Sequence, residues 1–165
     1  MRQPLTSHTA ARQFVLRDYR AEDFDRLWEI DQLCFVPGIA YTQMELSGYL
    51  AQRNAIRLVA EFGCPAQRGQ IAGFLVASFH NQVGRILTID VLPEARGSGL
   101  GSYLMLECEI RLRASGCKEV FLETAVNNAP ALRMYHKLGY EILRTLPEYY
   151  SSESLDAFQM GKQLA

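Results

Sequence analysis

The sequence predicts a mixed α/β (α+β) fold on a sheet of about seven strands, and three observations carry that prediction. Apolar runs of strand length and stretches of helical spacing follow one another as strand, two helices, three strands, helix, strand, helix, two strands. Short turn-rich links join neighbouring strands as antiparallel hairpins, whereas a long helix between the strand at Arg85 and the strand at Lys118 calls for a parallel crossover. The 165 residues, 48% of them hydrophobic, suffice for one core, since domains run to about 150 residues.

Met1 to Ala11 is polar and reads as a flexible tail, leaving residues 12–165 as the single domain. Arg12 to Arg17 suits a first strand. Ala21 to Phe35 places Phe24, Leu27, Trp28, Leu33 and Phe35 mostly three or four apart, with Ile30 as a weaker member, which predicts an amphipathic helix ended by Pro37-Gly38. Thr42 caps a second helix reaching about Gln52, with Glu45 as its capping-box partner. Ala55 to Glu61 is a strand and Gly63 to Gly69 a loop. Ile71 to Phe79 and Arg85 to Leu92 form a hairpin around Asn81 to Gly84.

Gly99 to Ser115 has Leu100, Leu104, Cys108 and Leu112 on one helical face, with Glu107/Arg111 and Glu109/Arg113 as pairs on the exposed face. Gly116 stops it. Lys118 to Glu123 reads as a buried strand, and Asn128 to Leu138 as a helix with Pro130 in its first turn and Gly139 past its end. Tyr140 to Thr145 and Leu155 to Met160 pair as the last strands, with Pro147 to Ser154 as a loop between them.

Charge and cysteine usage exclude several classes. Lys and Arg number 17 against 18 Asp and Glu, a net charge of −1, which offers no basic excess for a nucleic-acid backbone. No run approaches the ~20 apolar residues of a membrane span, and the N-terminus lacks the apolar core of a secretion signal. Cys34, Cys64, Cys108 and Cys117 are scattered without a CxxC pair, so reduced thiols and a cytoplasmic location are expected. His8, His80 and His136 have no shared ligand spacing and HExxH is absent, so no metal is expected.

The most informative stretch is Leu87 to Gly101, where a strand runs into Pro93-Glu94-Ala95-Arg96 and a helix opens at three glycines. Unpaired N–H groups at a helix start, cleared of side chains by glycine, make a phosphate cradle, although three glycines also simply cap a loop. The nucleotide pattern GxxxxGK[ST] is missing. The dinucleotide pattern GxGxxG fails at Ser102 and lies too far from the strand, although Glu123 would suit a ribose.

The string Arg96-Gly97-Ser98-Gly99-Leu100-Gly101 instead matches R-x-x-G-x-G. With the strand Ile89-Asp90-Val91 before it, it resembles the acetyl-CoA motif of the GNAT N-acetyltransferase family. A second string, Asn128-x-x-Ala131-x-x-x-Tyr135-x-x-x-Gly139-Tyr140, resembles that family's N-x-x-A-x-x-x-Y-x-x-x-G-F, with Tyr140 in place of the more frequent Phe. The resemblance implies a centrally splayed sheet with helices on both faces, the acyl-CoA N-acyltransferase fold. It implies acetyl-CoA as co-substrate, its pantetheine arm against Ile89 and Val91 and beside Asn128, and its pyrophosphate in the loop Arg96, Gly97, Ser98, Gly99, Leu100, Gly101 and Ser102.

Transfer of an acetyl group to an amine by direct attack in a ternary complex needs a base for the ammonium proton and an acid for the leaving thiolate. By resemblance Tyr135, placed beside the coenzyme sulfur, is the acid. Glu123, ending the Phe121-Leu122-Glu123-Thr124 strand twelve residues before Tyr135, is the base, a relation similar to that in the ribosomal-protein-alanine N-acetyltransferase branch. A salt-bridged Glu123 is the structural alternative. Asp90 is the rival carboxylate, on the strand face opposite Ile89 and Val91, pointing either into the cleft or onto the helix layer.

Cys34-Phe35-Val36-Pro37-Gly38 and Tyr149-Tyr150 resemble, more loosely, that branch's acceptor-lining segments, which makes Phe35, Gly38, Tyr149 and Tyr150 candidate substrate contacts; Gly38 departs from the tryptophan frequent there. Tyr41 and Tyr49 read as core or rim. The acceptor implied is the α-amine of a protein or peptide N-terminus. A small-molecule amine or amino acid is the alternative, and a non-catalytic acyl-CoA-binding module a further one. Monomer and homodimer both suit a sheet with exposed edges.

Overall fold

The computed structural model describes residues 13–164. The expected tail, Met1–Ala11, and Arg12 of the expected first strand lie outside them. Seven strands are present: β1 (Phe14–Asp18), β2 (Ala55–Phe62), β3 (Ile71–His80), β4 (Val83–Val91), β5 (Glu119–Ala125), β6 (Glu141–Tyr150) and β7 (Leu155–Gln163). Four α-helices accompany them: α1 (Phe24–Cys34), α2 (Gln43–Leu50), α3 (Leu100–Ala114) and α4 (Ala129–Lys137). A 3₁₀ turn at Ala21–Asp23 takes up the start of the expected first helix, and Thr42 and Glu45 form the expected capping box on α2.

The sheet order is β1-β2-β3-β4-β5-β7-β6. Every neighbouring pair is antiparallel except β4–β5. Both β5 and β6 run antiparallel to β7, so the crossovers β4-α3-β5 and β5-α4-β6 advance in one direction. Right-handed connections then place α3 and α4 on the same face. The two helices meet closely there, since a Cβ on Gly101 would lie 2.8 Å from the Met134 sulfur.

The helix α1 covers the other face, and β4 touches both layers. Gly84 packs under Leu112 of α3, while Asp90 lies against Asp31 of α1. Six residues apart, these positions share a face in an unbroken strand. A bulge intervenes: Val76 pairs with Thr88 and Ala77 with Ile86, which leaves Leu87 without a partner on β3 and reverses the alternation. The hairpin before it turns on Asn81 and Gln82, with φ of 47° and 68°, the paired positive angles that match strand twist.

Leu27, Ile30 and Leu46 from one layer and Leu100, Leu104 and Leu112 from the other are buried against the central strands. Ile30, the weaker member of the helical pattern, is fully buried, whereas Leu33 is exposed. The strand β6 is longer than the sequence predicts. It reaches Tyr150 through an irregularity between Leu146 and Tyr150, where Pro147 offers no donor and Glu148 adopts φ 50° with its N–H on Asp156. The two tyrosines therefore belong to a strand end and not to a loop.

Glu109 corrects a second expectation. It lies four residues after Met105 and three before Leu112, both fully buried, so α3 carries it inward with them. With 0% exposure it accepts hydrogen bonds from Tyr140 Oη (3.0 Å) and Lys162 Nζ (2.9 and 3.2 Å); the expected ion pair with Arg113 forms at 3.5 Å, but to a carboxylate that faces inward. The hydroxyl that distinguishes Tyr140 from phenylalanine thus satisfies a buried carboxylate. Tyr140→Phe should cost about 1–2 kcal/mol, and Lys162→Met, which strips the carboxylate of its closest charge, about 3 kcal/mol. Urea unfolding checks this ordering, with the m-value expected to stay constant.

Candidate active site

The strands β4 and β5 are joined over three rungs only, Val83↔Glu119, Gly84↔Val120 and Arg85↔Phe121. Beyond them Ile86–Val91 and Leu122–Ala125 diverge, and a cleft of about 350 Å³ occupies the wedge. Residues from α2 and the α1–α2 connection form one wall, the inner edges of β4 and β5 the floor, and α4 with the end of β6 the other wall. Ile89, Glu123, Asn128, Tyr135, Phe35, Gly38, Tyr149 and Tyr150 all line it. Val91 and the glycine loop lie past the end of the wedge rather than on the cleft wall.

Glu123 lies two residues before the end of β5, which runs on to Ala125 past the expected end, and its side chain is 10% exposed. Its Oε2 accepts from Arg85 Nη2 at 3.1 Å and Nε at 3.2 Å, and its Oε1 from Gln159 at 3.4 Å. The guanidinium beside it sets a full positive charge against the carboxylate. Tyr135 is 5% exposed on α4, tilted against Tyr140 with ring centroids 5.9 Å apart. Burial, then the charges of Tyr150 and Asp90, push its phenol well above the ordinary value, so the hydroxyl keeps its proton at neutral pH. Asn128 caps α4, its side chain accepting from the Ala131 N–H at 3.4 Å.

The loop before α3 is built for an anion. Gly97 and Gly99 hold φ of 73° and 85°, values that exclude most side chains, and a Cβ on Gly97 would meet nothing within 4 Å. Among the described residues, the N–H groups of Gly97 to Ser102 have no backbone acceptor, while that of Arg96 is taken by Pro93. A diphosphate fits six free donors at the start of a fifteen-residue helix. Ser98 turns its hydroxyl back onto the Ala95 carbonyl, so its N–H is the group left to offer. Arg96 Nε donates to the Val91 carbonyl at 3.0 Å, which pins the end of β4.

Asp90 takes the second of its two orientations. It is 1% exposed, does not line the cleft, and accepts from Thr88 Oγ1 at 2.5 Å. The bulge at Leu87 turns it onto α1, where Asp31 holds the Tyr41 N–H at 2.7 Å. Asp31 Oδ1 and Asp90 Oδ2 are the buried side-chain oxygens without a donor among the described residues, and one proton between the carboxyls satisfies both. Burial, then the charge of Asp31, holds Asp90 well above the carboxylate range; burial raises Asp31 too. Cys34, its thiol pushed up to about 11 by burial and by Asp90, donates to the Val91 carbonyl at 3.4 Å and is no nucleophile.

Sequence reasoning missed Arg85 and underrated Tyr41. Among the described residues Arg85 is the one basic residue lining the cleft, and it also donates to Tyr149 Oη at 3.3 Å. Tyr41 sends its hydroxyl to the Leu87 carbonyl at 2.9 Å, satisfying the bulged residue, and stacks edge-on against Tyr49 at 5.0 Å. Neither lies within a contiguous motif. Overhead the α1–α2 connection meets the β6–β7 turn: a Cβ on Gly38 would lie 2.2 Å from the Ser152 hydroxyl, at a φ of +93°. The tryptophan frequent after this proline would collide with that turn. Among the described residues no three His, Cys, Asp or Glu side chains cluster as metal ligands, and no helix is long and apolar enough to cross a membrane.

Residues 16–140 match the family model described as the acetyltransferase (GNAT) family. An N-alpha-acetyltransferase from Sulfurisphaera tokodaii is 26% identical over 166 residues, covering 93% of this chain and 95% of its own. Ard1 from Thermoplasma volcanium superposes with a TM-score of 0.81 at 27% identity, over 93% of this chain and 99% of that one. The ribosomal-protein-S18-alanine N-acetyltransferase from Escherichia coli shares the fold, with a TM-score of 0.81 at 19% identity over 92% and 94% of the two chains.

The buried carboxyl pair sets a pH dependence of stability. A raised folded-state value means that its contribution is complete below the unfolded value of 3.8 and is lost as pH rises through the folded value. Asp90→Asn cannot ionise and offers Asp31 an N–H at every pH. Its stability relative to the parent should therefore improve progressively as pH rises above the unfolded value of 3.8, as read by urea unfolding at each pH.

Proposed function

This chain belongs to the GNAT acetyltransferase family, and we propose that it acetylates the α-amine of a protein or peptide N-terminus. It is an acetyl-CoA-dependent N-acetyltransferase; the acceptor and the roles of individual residues are the proposal. The observation that carries it is the meeting of Glu123 and Tyr135, from different elements, in the one cleft that the splayed strands open. The relatives named as N-alpha-acetyltransferase and Ard1 support the choice of acceptor.

In this reading the pyrophosphate of acetyl-CoA sits on the N–H groups of Gly97, Ser98, Gly99, Leu100, Gly101 and Ser102, with Arg96 bracing the loop through the Val91 carbonyl. The pantetheine arm adds to the free edge of β4 at Ile89 and Val91 as an extra strand would, with Asn128 across the wedge. The acceptor enters past Phe35, Gly38, Tyr149 and Tyr150. Glu123 takes a proton from its ammonium, directly or through water, and the neutral nitrogen forms a bond to the thioester carbon as the C–S bond breaks. Tyr135 donates to the sulfur as charge builds there. A free thiol is more acidic than a phenol, so complete transfer is uphill and the hydrogen bond itself does most of the stabilising.

A small amine as acceptor is favoured by one feature, the Gly38–Ser152 contact that narrows the cleft mouth. Coenzyme A release measured against N-terminal peptides, polyamines and free amino acids separates the two readings, since peptide turnover must dominate if the first holds. Acetyl-CoA at about 100 times its Kd should raise Tm by roughly 5–10 °C. Tyr135→Phe should lower kcat by about 10²-fold while leaving coenzyme affinity nearly intact. Glu123→Gln should remove the acidic limb of the pH–rate profile, and a profile that overlays the parent's would reassign the base.

A further inference from the structure

Arg85 sits at a junction. It lines the acceptor cleft, and it also lines a second, shallower depression formed by the α2–β2 connection and the tip of the β3–β4 hairpin. The two hollows differ in charge. The cleft carries the carboxylates of Glu45 and Glu123. Besides Arg53, Arg85 and His80 the depression is lined by polar residues and by the apolar Phe79 and Val83; most of its wall is apolar, and among the described residues no carboxylate lines it. Arg53 makes no ion pair among the described residues. Arg85, 49% exposed in its side chain, spends its guanidinium on Glu123 and Tyr149.

A peptide whose amine reaches Glu123 brings a second cation to a carboxylate that Arg85 already holds. Two cations on one carboxylate repel, and the arrangement relaxes when Arg85 gains an anion on its other side. An extended chain advances about 3.3 Å per residue, and because Arg85 lines both hollows and touches Glu123, the residues close behind the amine are the ones that would meet its guanidinium. From the geometry we infer that this depression is the continuation of the acceptor site and selects peptides bearing Asp or Glu shortly after the acetylated residue. The inference rests on the peptide N-terminus as acceptor and names the class of sequence taken. Charge complementarity and continuity with the cleft support it.

The test pairs two peptides that share their first residue and carry Asp or Lys at positions two to four, with acetyl-CoA in excess and coenzyme A release as the readout. The acidic peptide should show about tenfold higher kcat/KM at low salt, the preference should shrink as ionic strength rises, and Arg53→Glu should abolish or invert it. Arg53 is exposed and away from the core, so the variant keeps its fold. Equal kcat/KM for the two peptides, or an unaltered preference in Arg53→Glu, would overturn the inference and leave the peptide reading standing. Turnover of a polyamine or free amino acid with none of either peptide would remove the peptide reading, and this inference with it.

Discussion

Two parallel strands that share only three rungs leave backbone donors and acceptors facing each other across a gap, and interior backbone groups must find partners. That requirement organises the molecule around the wedge between β4 and β5. The bulged Leu87 gives its carbonyl to the Tyr41 hydroxyl, and the Val91 carbonyl receives both Arg96 and Cys34. Each of these contacts ties a different segment, α2's approach, the glycine loop or the end of α1, to the edge of β4. The edge left between them is free, and in the proposed reading an extended ligand completes the sheet there.

The bulge also decides which carboxylate faces the chemistry. Without it, Asp90 would share a face with Gly84 and Ile86; with it, Asp90 turns to α1 and meets Asp31. One carboxylate is thereby spent on holding a helix to the sheet, through a pair that retains a proton. The other, Glu123, stays at the cleft in an ion pair with Arg85. Identical functional groups thus meet different surroundings, a second buried carboxyl in one case and an opposite charge in the other.

Local patterns carried most of the fold, since hairpin turns, capping residues and helical spacing depend on a few neighbours. Readings that failed concerned the orientation of one element against another. Glu109 pairs with Arg113 as expected, but not on the surface, since α3 rolls its carboxylate inward to Tyr140 and Lys162. Pro147 and the Ser/Glu-rich stretch after Tyr150 resembled a loop, yet β6 persists to Tyr150 because Asp156 on the facing strand accepts the Glu148 N–H. Arg85 carried no motif, since its partners Glu123 and Tyr149 are 38 and 64 residues away.

By itself the sequence determined the order of elements, the glycine-rich turn with its family likeness, and the identities of the acid and base candidates. These follow from spacing within single elements, where covalent geometry fixes what lies next to what. Only the tertiary structure decided that Asp90 points away from the cleft, that Arg85 guards Glu123, and that Gly38 admits the turn at Ser152. Those outcomes depend on a one-residue bulge and on the angle at which strands part, and both are settled by packing between segments far apart in the chain.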